Sequence, residues 1–318
     1  MELRELGKSG LKVSPLVFGG NVFGWTADKQ QSFKLMDAWL DAGFNTIDTA
    51  DVYSLWAPNN GPGTSETIIG EWFKQHPSKR EKTVLTTKVG AELAPGKSGL
   101  SARWIEQAID DSLRRLQTDY VDLYFSHFPD PDTSQEETLR AHQRLIEAGK
   151  VRAIGASNFS AQQLRQSLDI SAREGLPRYD VFQPEYSLAT RAGFEGELSD
   201  ICSSEELGVI TYFSLASGFL SGKYRTKKDI EGTSREEMLG KYFDEGNGEQ
   251  ILAALAEVAD RVGASMAEVA LAWLMAKPVV TAPIASATSL DQLASLARAA
   301  SVSLSSEDMA LLDKASAP

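Results

Sequence analysis

Short apolar segments recur along the chain, and each is followed by a stretch with apolar positions every three or four residues. The first pattern is typical of buried β-strands and the second of amphipathic α-helices. Most segments begin 28 to 40 residues after the previous one, which leaves room for a strand, a helix and two loops. We predict eight strands, at Leu16–Gly19, Phe44–Asp48, Val84–Lys88, Val121–Phe125, Val151–Gly155, Asp180–Gln183, Val209–Phe213 and Val279–Pro283.

Helices are predicted between these strands. Ser134 with Glu137 three residues later predicts a capping box, and Gly149 marks the end of that helix. Eight parallel βα units favour closure into a (β/α)8 TIM barrel, with an open doubly wound sheet as the alternative. The other predicted helices are Gln30–Ala42, Ser65–Lys74, Ser101–Leu116, Ser160–Glu174, Glu195–Glu206, Glu249–Val262, Met266–Ala276 and Ser289–Ala300.

Three features fall outside the repeat. Residues 2–14 predict an N-terminal β-hairpin that turns at residues 8–10 and closes the bottom of the barrel. Residues 224–248 are polar and predict a long loop, and extra helices are expected in the C-terminal part. Since no stretch resembles an interdomain linker, we expect residues 1–318 to form a single barrel domain.

Composition narrows the class of protein. Apolar residues make up 42% and charged residues 24%, as in globular proteins. A net charge of −12 argues against nucleic-acid binding, and no apolar run approaches the roughly 20 residues of a membrane span. The single cysteine, Cys202, is expected to be a small buried hydrophobe. Together with the absence of a signal-peptide pattern, these features predict a cytoplasmic protein. They lead to no prediction of its oligomeric state.

Polar residues at the predicted carboxyl ends of the strands are the candidates for chemistry, because active sites of such barrels lie there. Asp48 ends the second strand, Tyr53 follows five residues later, and Lys88 ends the third strand. Taken singly, each has a structural interpretation as well, as a turn cap, a rim aromatic or a solvated strand end. His127 directly follows the fourth strand and is the histidine placed for chemistry. The other two histidines, His76 and His142, are expected to be solvated helix residues.

The four candidates together favour proton transfer to a carbonyl oxygen. A free phenol has a pKa of about 10, so we expect the Lys88 ammonium to lower the pKa of Tyr53 and make it an efficient acid. Asp48 would hold the lysine, and His127 would polarise the substrate oxygen. No metal-binding motif, nucleophile elbow or early G-x-G-x-x-G is present, so an organic redox cofactor outside a Rossmann fold is expected.

Several long motifs occur in order between residues 4 and 312. They are G-F-N-T-I-D-T-A-D-V-Y (43–53), G-T-S-E-T-I-I-G (63–70), L-T-T-K-V-G (85–90), D-S-L-R-R-L-Q-T-D-Y-V-D-L-Y (111–124), I-G-A-S-N-F (154–159) and G-V-I-T-Y-F-S-L-A-S-G-F-L-S-G-K-Y (208–224). With these motifs the sequence resembles the aldo-keto reductase family, in particular its bacterial-type, short-loop members. By position, the family's catalytic tetrad falls on Asp48, Tyr53, Lys88 and His127.

The resemblance implies a nicotinamide cofactor, NADP(H) in preference to NAD(H). It places the carboxamide on Ser157, Asn158 and Gln183, the nicotinamide ring on Tyr212, and the pyrophosphate near residues 214–218. The cofactor-binding residues it implies are Gly20, Asn21, Asp48, Ser157, Asn158, Gln183, Tyr212, Ser214, Leu215, Ser217, Gly218, Lys223, Ser286, Ser289 and Gln292.

Two departures from the family pattern bear on that cofactor. The chain has Tyr212-Phe213-Ser214-Leu215 where many relatives read Y-S-P-L, so a less rigid pyrophosphate loop is expected. Ser286 and Gln292 stand where NADP-specific relatives often carry lysine and arginine for the 2′-phosphate. Hydroxyls and amides bind a phosphate more weakly than a guanidinium does, so Arg225 or a lysine of the long loop is a substitute candidate.

The substrate is expected to be a small carbonyl compound or the corresponding alcohol. Trp25, Trp56 and Phe128 join Tyr53 and His127 near the expected site, which favours a sugar-like or cyclic ketone. Two alternatives to a reductase stay open. One is a cofactor-binding regulatory subunit that senses redox state for a partner, and the other is a barrel hydrolase or lyase with Lys88 as a Schiff-base nucleophile.

Overall fold

A closed barrel of eight parallel strands forms the centre of the computed structural model, which describes residues 2–232, 236–244 and 247–318. The last strand pairs with both the first and the seventh barrel strand and so closes the ring, which confirms the barrel over the open sheet. In chain order, its strands are β3 (Val17–Gly19), β4 (Thr46–Asp48), β5 (Val84–Val89), β6 (Val121–Ser126), β7 (Val151–Ser157), β8 (Val181–Gln183), β9 (Gly208–Thr211) and β10 (Ala282–Ala285). They follow the hairpin strands β1 (Arg4–Glu5) and β2 (Lys12–Val13).

Helices surround the barrel, mostly within one or two residues of their predicted bounds. They are α1 (Lys29–Asp41), α2 (Thr64–Gln75), α3 (Pro77–Arg80), α4 (Ala102–Leu116), α5 (Gln135–Glu147), α6 (Ala161–Glu174), α7 (Glu197–Ser204), α8 (Glu236–Asp244), α9 (Gly248–Val262), α10 (Met266–Ala276), α11 (Leu290–Ala299) and α12 (Ser306–Ala315). The capping box predicted at Ser134 is half formed. Ser134 accepts a hydrogen bond from the Glu137 backbone, but the Glu137 carboxylate accepts from the Ala102 backbone instead. No helix in these described ranges is long and apolar enough to cross a membrane.

Three predictions about the C-terminal half need correction. The expected loop at 224–248 contains α8, whose buried residues Leu239 and Tyr242 face the protein, although residues 233–235 and 245–246 lie outside the described part. The last barrel strand begins three residues later than predicted. The seventh ends at Thr211 because Phe213 has a φ of 51°, which no strand accommodates.

The N-terminal hairpin closes the amino-terminal end of the barrel, as predicted. Arg4 pairs with Val13 across the hairpin, and Leu6, Leu11 and Val13 join the buried cluster inside the barrel. Gly7 has a φ of 56°, and a Cβ there would lie 2.3 Å from the Gly208 backbone nitrogen at the start of β9. Only glycine permits this close approach, so the hairpin packs tightly against the amino-terminal end of the barrel.

Two apolar layers hold the molecule together. Inside the barrel, residues such as Leu123, Phe125 and Ile210 pack against each other, while the outer strand faces pack against the helices. Strands buried on both faces explain the continuous apolar runs of the sequence. Cys202 lies buried and free on α7, as expected, and burial raises the pKa of its thiol to about 12.

Candidate active site

An ion pair between Lys88 and Asp48 lies at the centre of the barrel mouth, by which we mean the carboxyl-terminal end of the strands. Lys88 Nζ donates to Asp48 Oδ2 at 2.6 Å, to the Thr49 carbonyl oxygen at 2.8 Å and to Tyr53 OH at 2.9 Å. These contacts use all three N–H donors of an ammonium group. The lysine is fully buried, so its position is fixed by these three acceptors.

Asp48 is held by further donors. Its Oδ1 accepts from Thr86 Oγ1 at 2.7 Å and from Gln183 Nε2 at 3.1 Å, while Tyr53 OH lies 3.2 Å from its Oδ2. Thr86 was not among the predicted residues. Its place two residues before Lys88, on the same face of the same strand, could have indicated it.

The pKa of Tyr53 departs from the expectation. Burial, together with the nearby Asp48 carboxylate, raises the pKa of Tyr53 well above that of a free phenol. The prediction of a lowered pKa was therefore wrong for the protein without a bound cofactor. It considered the Lys88 ammonium alone, whereas the structure places an anion 3.2 Å from the same hydroxyl. Burial also lowers the pKa of Lys88.

His127 completes the predicted four-residue set. Its ring lies 6.2 Å from the Tyr53 ring, centroid to centroid, and stacks on Phe128 at 4.6 Å. Burial, then the charge of Lys88, holds the pKa of His127 well below its usual value, so the imidazole is neutral. A neutral imidazole can still donate one N–H to a carbonyl oxygen.

The other two histidines lie elsewhere. His76 caps the end of α2 and is partly exposed. The prediction that His142 is solvated was wrong, because the residue is fully buried on the inner face of α5. Its spacing of three from both Leu139 and Leu145 places it on the apolar side of that helix and could have indicated burial.

Four predicted cofactor residues form a hydrogen-bonded group beside the ion pair. Asn158 Nδ2 donates to the His127 carbonyl oxygen at 2.8 Å and to Ser157 Oγ at 3.2 Å. Tyr212 OH donates to Asn158 Oδ1 at 2.6 Å. Ser157 Oγ donates to the Gln183 carbonyl oxygen at 2.8 Å. Amide groups have two donors and an acceptor with two lone pairs, so Asn158 and Gln183 retain capacity beyond these bonds.

The loop after β9, predicted for the pyrophosphate, has an unusual backbone. Phe213, Ala216 and Ser217 have φ values of 51°, 47° and 56°, and the Phe213 side chain is 51% exposed. Such conformations cost about 1–3 kcal/mol each in non-glycine residues and cluster at functional sites. Ser214 is buried and donates to the Thr211 carbonyl oxygen, so its hydroxyl faces the protein. The loop also contains the predicted residues Leu215 and Gly218.

The residues predicted near a 2′-phosphate are engaged in internal hydrogen bonds. Ser286 Oγ donates to Asn21 Oδ1 at 2.6 Å, and it lies so close to Gly19 that a Cβ there would be 2.5 Å away. Ser289 caps α11 by accepting from the Gln292 backbone, while Gln292 Oε1 accepts from the Thr288 backbone. Gly20, next to Asn21, is buried in the short turn that directly follows β3.

The basic residues suggested for the phosphates lie exposed after the β9 loop. Lys223 Nζ lies 5.1 Å from the centroid of the Tyr224 ring, and Arg225 Nε donates to the Gly222 carbonyl oxygen. Neither contact involves an acidic side chain.

An aromatic rim lies beside Tyr53 and His127. Trp25 and Trp56 contact each other edge to face at 5.8 Å between ring centroids, and Trp56 lies 6.1 Å from Tyr53. Trp25, Trp56 and Phe128 are 46%, 50% and 44% exposed, which is unusual for such large apolar side chains. The structure thus brings the predicted substrate residues Trp25, Trp56 and Phe128 together near Tyr53 and His127.

A buried polar cluster behind β5 was not predicted. Glu66 is fully buried and accepts from Thr87 Oγ1 at 2.6 Å and from Arg115 Nε at 2.7 Å. Asp51 is also buried, and neither of its carboxyl oxygens has a hydrogen-bond partner among the described residues. Burial, then the charge of Glu66, raises the pKa of Asp51 well above its usual value.

The chain is similar to known proteins over almost its whole length. A family model described as "Aldo/keto reductase family" matches residues 15–317. The chain is 34% identical over 320 residues to "Uncharacterized oxidoreductase YrpG" of Bacillus subtilis, an alignment that covers 98% of this chain and 95% of the relative. It is 32% identical to "Protein tas" of Escherichia coli, covering 92% and 91%. It is also 35% identical to a "Probable voltage-gated potassium channel subunit beta" of Oryza sativa, covering 92% and 89%.

Proposed function

The chain belongs to the aldo/keto reductase family, and we propose that it transfers a hydride between NADP(H) and the carbonyl group of an aldehyde or ketone. The reaction is reversible, so the protein also acts as an alcohol dehydrogenase. The observation that carries this proposal is the position of Tyr53 OH, which lies 2.9 Å from a buried ammonium and 3.2 Å from a carboxylate at the barrel mouth.

Tyr53 acts as the general acid in carbonyl reduction. When the carbonyl carbon accepts a hydride, its C=O π electrons move to the oxygen, which takes the Tyr53 proton. The raised pKa of Tyr53 keeps this proton in place until that charge develops. Lys88 Nζ then stabilises the phenolate, and Asp48 keeps the lysine in place. In the oxidative direction, the same phenolate accepts the alcohol proton.

His127 orients the substrate. Its neutral imidazole lies across the Tyr53 ring and can donate a hydrogen bond to the same carbonyl oxygen. A donor fixed at that point stabilises the developing negative charge.

Side chains at the mouth fit a nicotinamide cofactor. The cofactor supplies the hydride when it is bound. Asn158 and Gln183 offer amide groups that complement a carboxamide, and Ser157 offers a hydroxyl. Tyr212 presents a partly exposed ring next to them. These chemical groups support the binding roles assigned to the four residues.

NADP(H) is the proposed cofactor, and NAD(H) is the alternative that a titration must decide. Ser286 would have to exchange its present acceptor, Asn21, for a 2′-phosphate. Gln292 accepts from Thr288 through its side-chain oxygen, so a phosphate would bind its amide nitrogen. Lys223 and Arg225 have exposed side chains, and the Arg225 guanidinium donates to the Gly222 carbonyl oxygen, while the Arg225 backbone N–H donates to Asp229 Oδ2. These two side chains are the candidate cations. We therefore propose a smaller preference for NADP(H) than an arginine at position 292 would give.

The substrate that fits best has a ring. Trp25, Trp56 and Phe128 expose large apolar surfaces next to the acid, and such surfaces bind the faces of sugars or cyclic ketones. The proposed substrate is therefore a sugar-like or cyclic carbonyl compound.

Similarity to a probable channel β subunit supports one second candidate, a cofactor-binding regulatory subunit. Such a protein would bind the nucleotide and turn over slowly or not at all. The complete set of Asp48, Tyr53, Lys88 and His127 favours the enzyme.

One experiment separates these candidates. The purified protein is titrated with NADPH and with NADH while ligand fluorescence is followed, and a panel of aldehydes and ketones is then added. We expect tighter binding of NADPH and carbonyl-dependent oxidation of it. Binding without turnover of any carbonyl would favour the regulatory subunit. Absence of binding by either nucleotide, or turnover that needs none, would contradict both nucleotide-dependent candidates.

A further inference from the structure

A buried hydrogen-bond network lies directly behind the strand that precedes His127. Ser126 Oγ lies 3.1 Å from His142 Nε2 and 2.8 Å from Tyr179 OH. Ser126 and His142 have no exposed surface, and Tyr179 is 2% exposed. The three residues come from the end of β6, the inner face of α5 and the segment before β8. One hydroxyl thus joins three separate parts of the fold.

A hydrogen-bonded serine and histidine could suggest a nucleophile and its base. Burial argues against that role, because no substrate reaches either side chain. Burial also lowers the pKa of His142 to about 3, so the ring stays neutral at physiological pH. Tyr124 and Tyr179 contact the ring edge to face, at 5.8 and 6.2 Å between centroids. The network is therefore a fixed, uncharged part of the structure.

Ser126 is the residue immediately before His127, and the two side chains leave β6 on opposite faces. The side chain of Ser126 enters the layer of helices, whereas that of His127 reaches the barrel mouth beside Tyr53. The His127 backbone is tied to its neighbours, since its N–H donates to the Val89 carbonyl oxygen at 2.8 Å and its carbonyl oxygen accepts from Asn158. Ser126 adds an attachment on the helix side.

The position of the His127 ring depends on how its own backbone is held. Its Nδ1 is buried and has no hydrogen-bond partner among the described residues, so no carboxylate or carbonyl orients the imidazole through that atom. In many enzymes a hydrogen bond to the second ring nitrogen has this orienting role. Here the ring is positioned by stacking on Phe128 and by the place of its own backbone.

We propose that Ser126, His142 and Tyr179 are positioning residues that hold His127 at the distance from Tyr53 that carbonyl reduction requires. This inference rests on the proposed function. The network acts through the backbone of residues 126 and 127 and touches neither substrate nor cofactor. Because a displacement of about 1 Å at a catalytic group can cost about 100-fold in rate, loss of the Ser126 hydroxyl should affect turnover without affecting nucleotide binding.

Ser126→Ala and Tyr179→Phe each remove one hydroxyl and keep the size of the side chain. We expect kcat to fall about 5- to 50-fold while the Kd for the nucleotide changes less than about twofold. Ser171→Ala is the matched control, because Ser171 is also a buried serine, bonded to the Leu176 carbonyl oxygen away from the mouth. Its kcat should equal that of the wild type. An unchanged kcat in both network variants would overturn the inference.

A double-mutant cycle tests whether the effect passes through His127. In a His127→Ala background, Ser126→Ala should cause no further fall in kcat, because no ring remains to be positioned. An equal loss in both backgrounds would contradict the inference and indicate a general structural effect.

Nuclear magnetic resonance provides a readout that does not depend on turnover. The chain has three histidines, so the ring resonances can be assigned with single substitutions. Ser126→Ala should shift the His127 ring signals, whereas Ser171→Ala should leave them in place. If the wild type reduces no carbonyl, the proposed function fails, and this measurement still decides the inference. Unshifted His127 signals would then refute the positioning role.

Discussion

Lys88 Nζ lies 2.6 Å from Asp48 Oδ2, and the two side chains are 0% and 2% exposed. A buried ion pair is costly to desolvate and is maintained only when further hydrogen bonds satisfy both groups. Thr49 and Tyr53 provide these bonds for the lysine, and Thr86 and Gln183 provide them for the carboxylate. Because Tyr53 takes part, the same bonds that satisfy the pair also fix the proposed acid.

Replacement of the phenol tests the proposed acid directly. Tyr53→Phe removes only the hydroxyl, so the variant should fold and bind nucleotide as the wild type does. Its kcat for carbonyl reduction should fall by about 10² to 10⁴, the usual contribution of a general acid. Steady-state kinetics and a nucleotide titration measure the two effects. Turnover equal to that of the wild type would remove Tyr53 from the mechanism.

The raised pKa of Tyr53 predicts how its phenol titrates. In the nucleotide-free protein, Tyr53 should ionise above the value of about 10 that a free phenol shows. The phenolate absorbance of the wild type minus that of Tyr53→Phe reports this ionisation. Carbonyl reduction should therefore continue up to the pH at which Tyr53 ionises, since the protonated phenol is the active form. A difference titration centred below about 10 would mean that Lys88 outweighs burial and Asp48.

Acid should destabilise the protein through His142. The pKa of His142 is lowered to about 3 in the folded state, against about 6.5 in an unfolded chain. The unfolded form therefore binds a proton that the folded form does not, and the free energy of unfolding falls as pH decreases through this window. One such proton contributes about 1.4 kcal/mol per pH unit.

Urea denaturation at a series of pH values measures this slope. His142→Leu should reduce it by one proton equivalent, whereas Ser171→Ala should change the free energy of unfolding but not its slope. An unchanged slope in His142→Leu would show that the histidine is not buried in the neutral form.

Asp51 should lower stability near neutral pH. Because burial and Glu66 raise its pKa in the folded state, the unfolded chain releases the Asp51 proton more readily. The resulting loss of stability grows as pH rises above about 3.9. Asp51→Asn should therefore be more stable than the wild type at pH 7, with a difference that shrinks on acidification. A variant that is less stable than the wild type at pH 7 would contradict this account.

Much of the fold could be predicted because strands buried on both faces give continuous apolar runs. The helix α8 could not be predicted, since polar residues outnumber its buried Leu239 and Tyr242. Asp48, Tyr53, Lys88 and His127 could be selected because each lies at or just after the end of a strand. The pKa of Tyr53 could not, because its sign depends on the distance to Asp48, which sequence spacing does not give.

The N-terminal hairpin also affects the order in which ligands bind and dissociate. Leu6, Leu11 and Val13 fill the amino-terminal end of the barrel and pack in its inner cluster, so ligands are expected to enter from the mouth. Under the proposed function, nucleotide and carbonyl compound must share that entrance. We therefore expect the ligand that binds deeper in the barrel to bind first and dissociate last. Product inhibition patterns would then show an ordered sequential mechanism and identify that ligand.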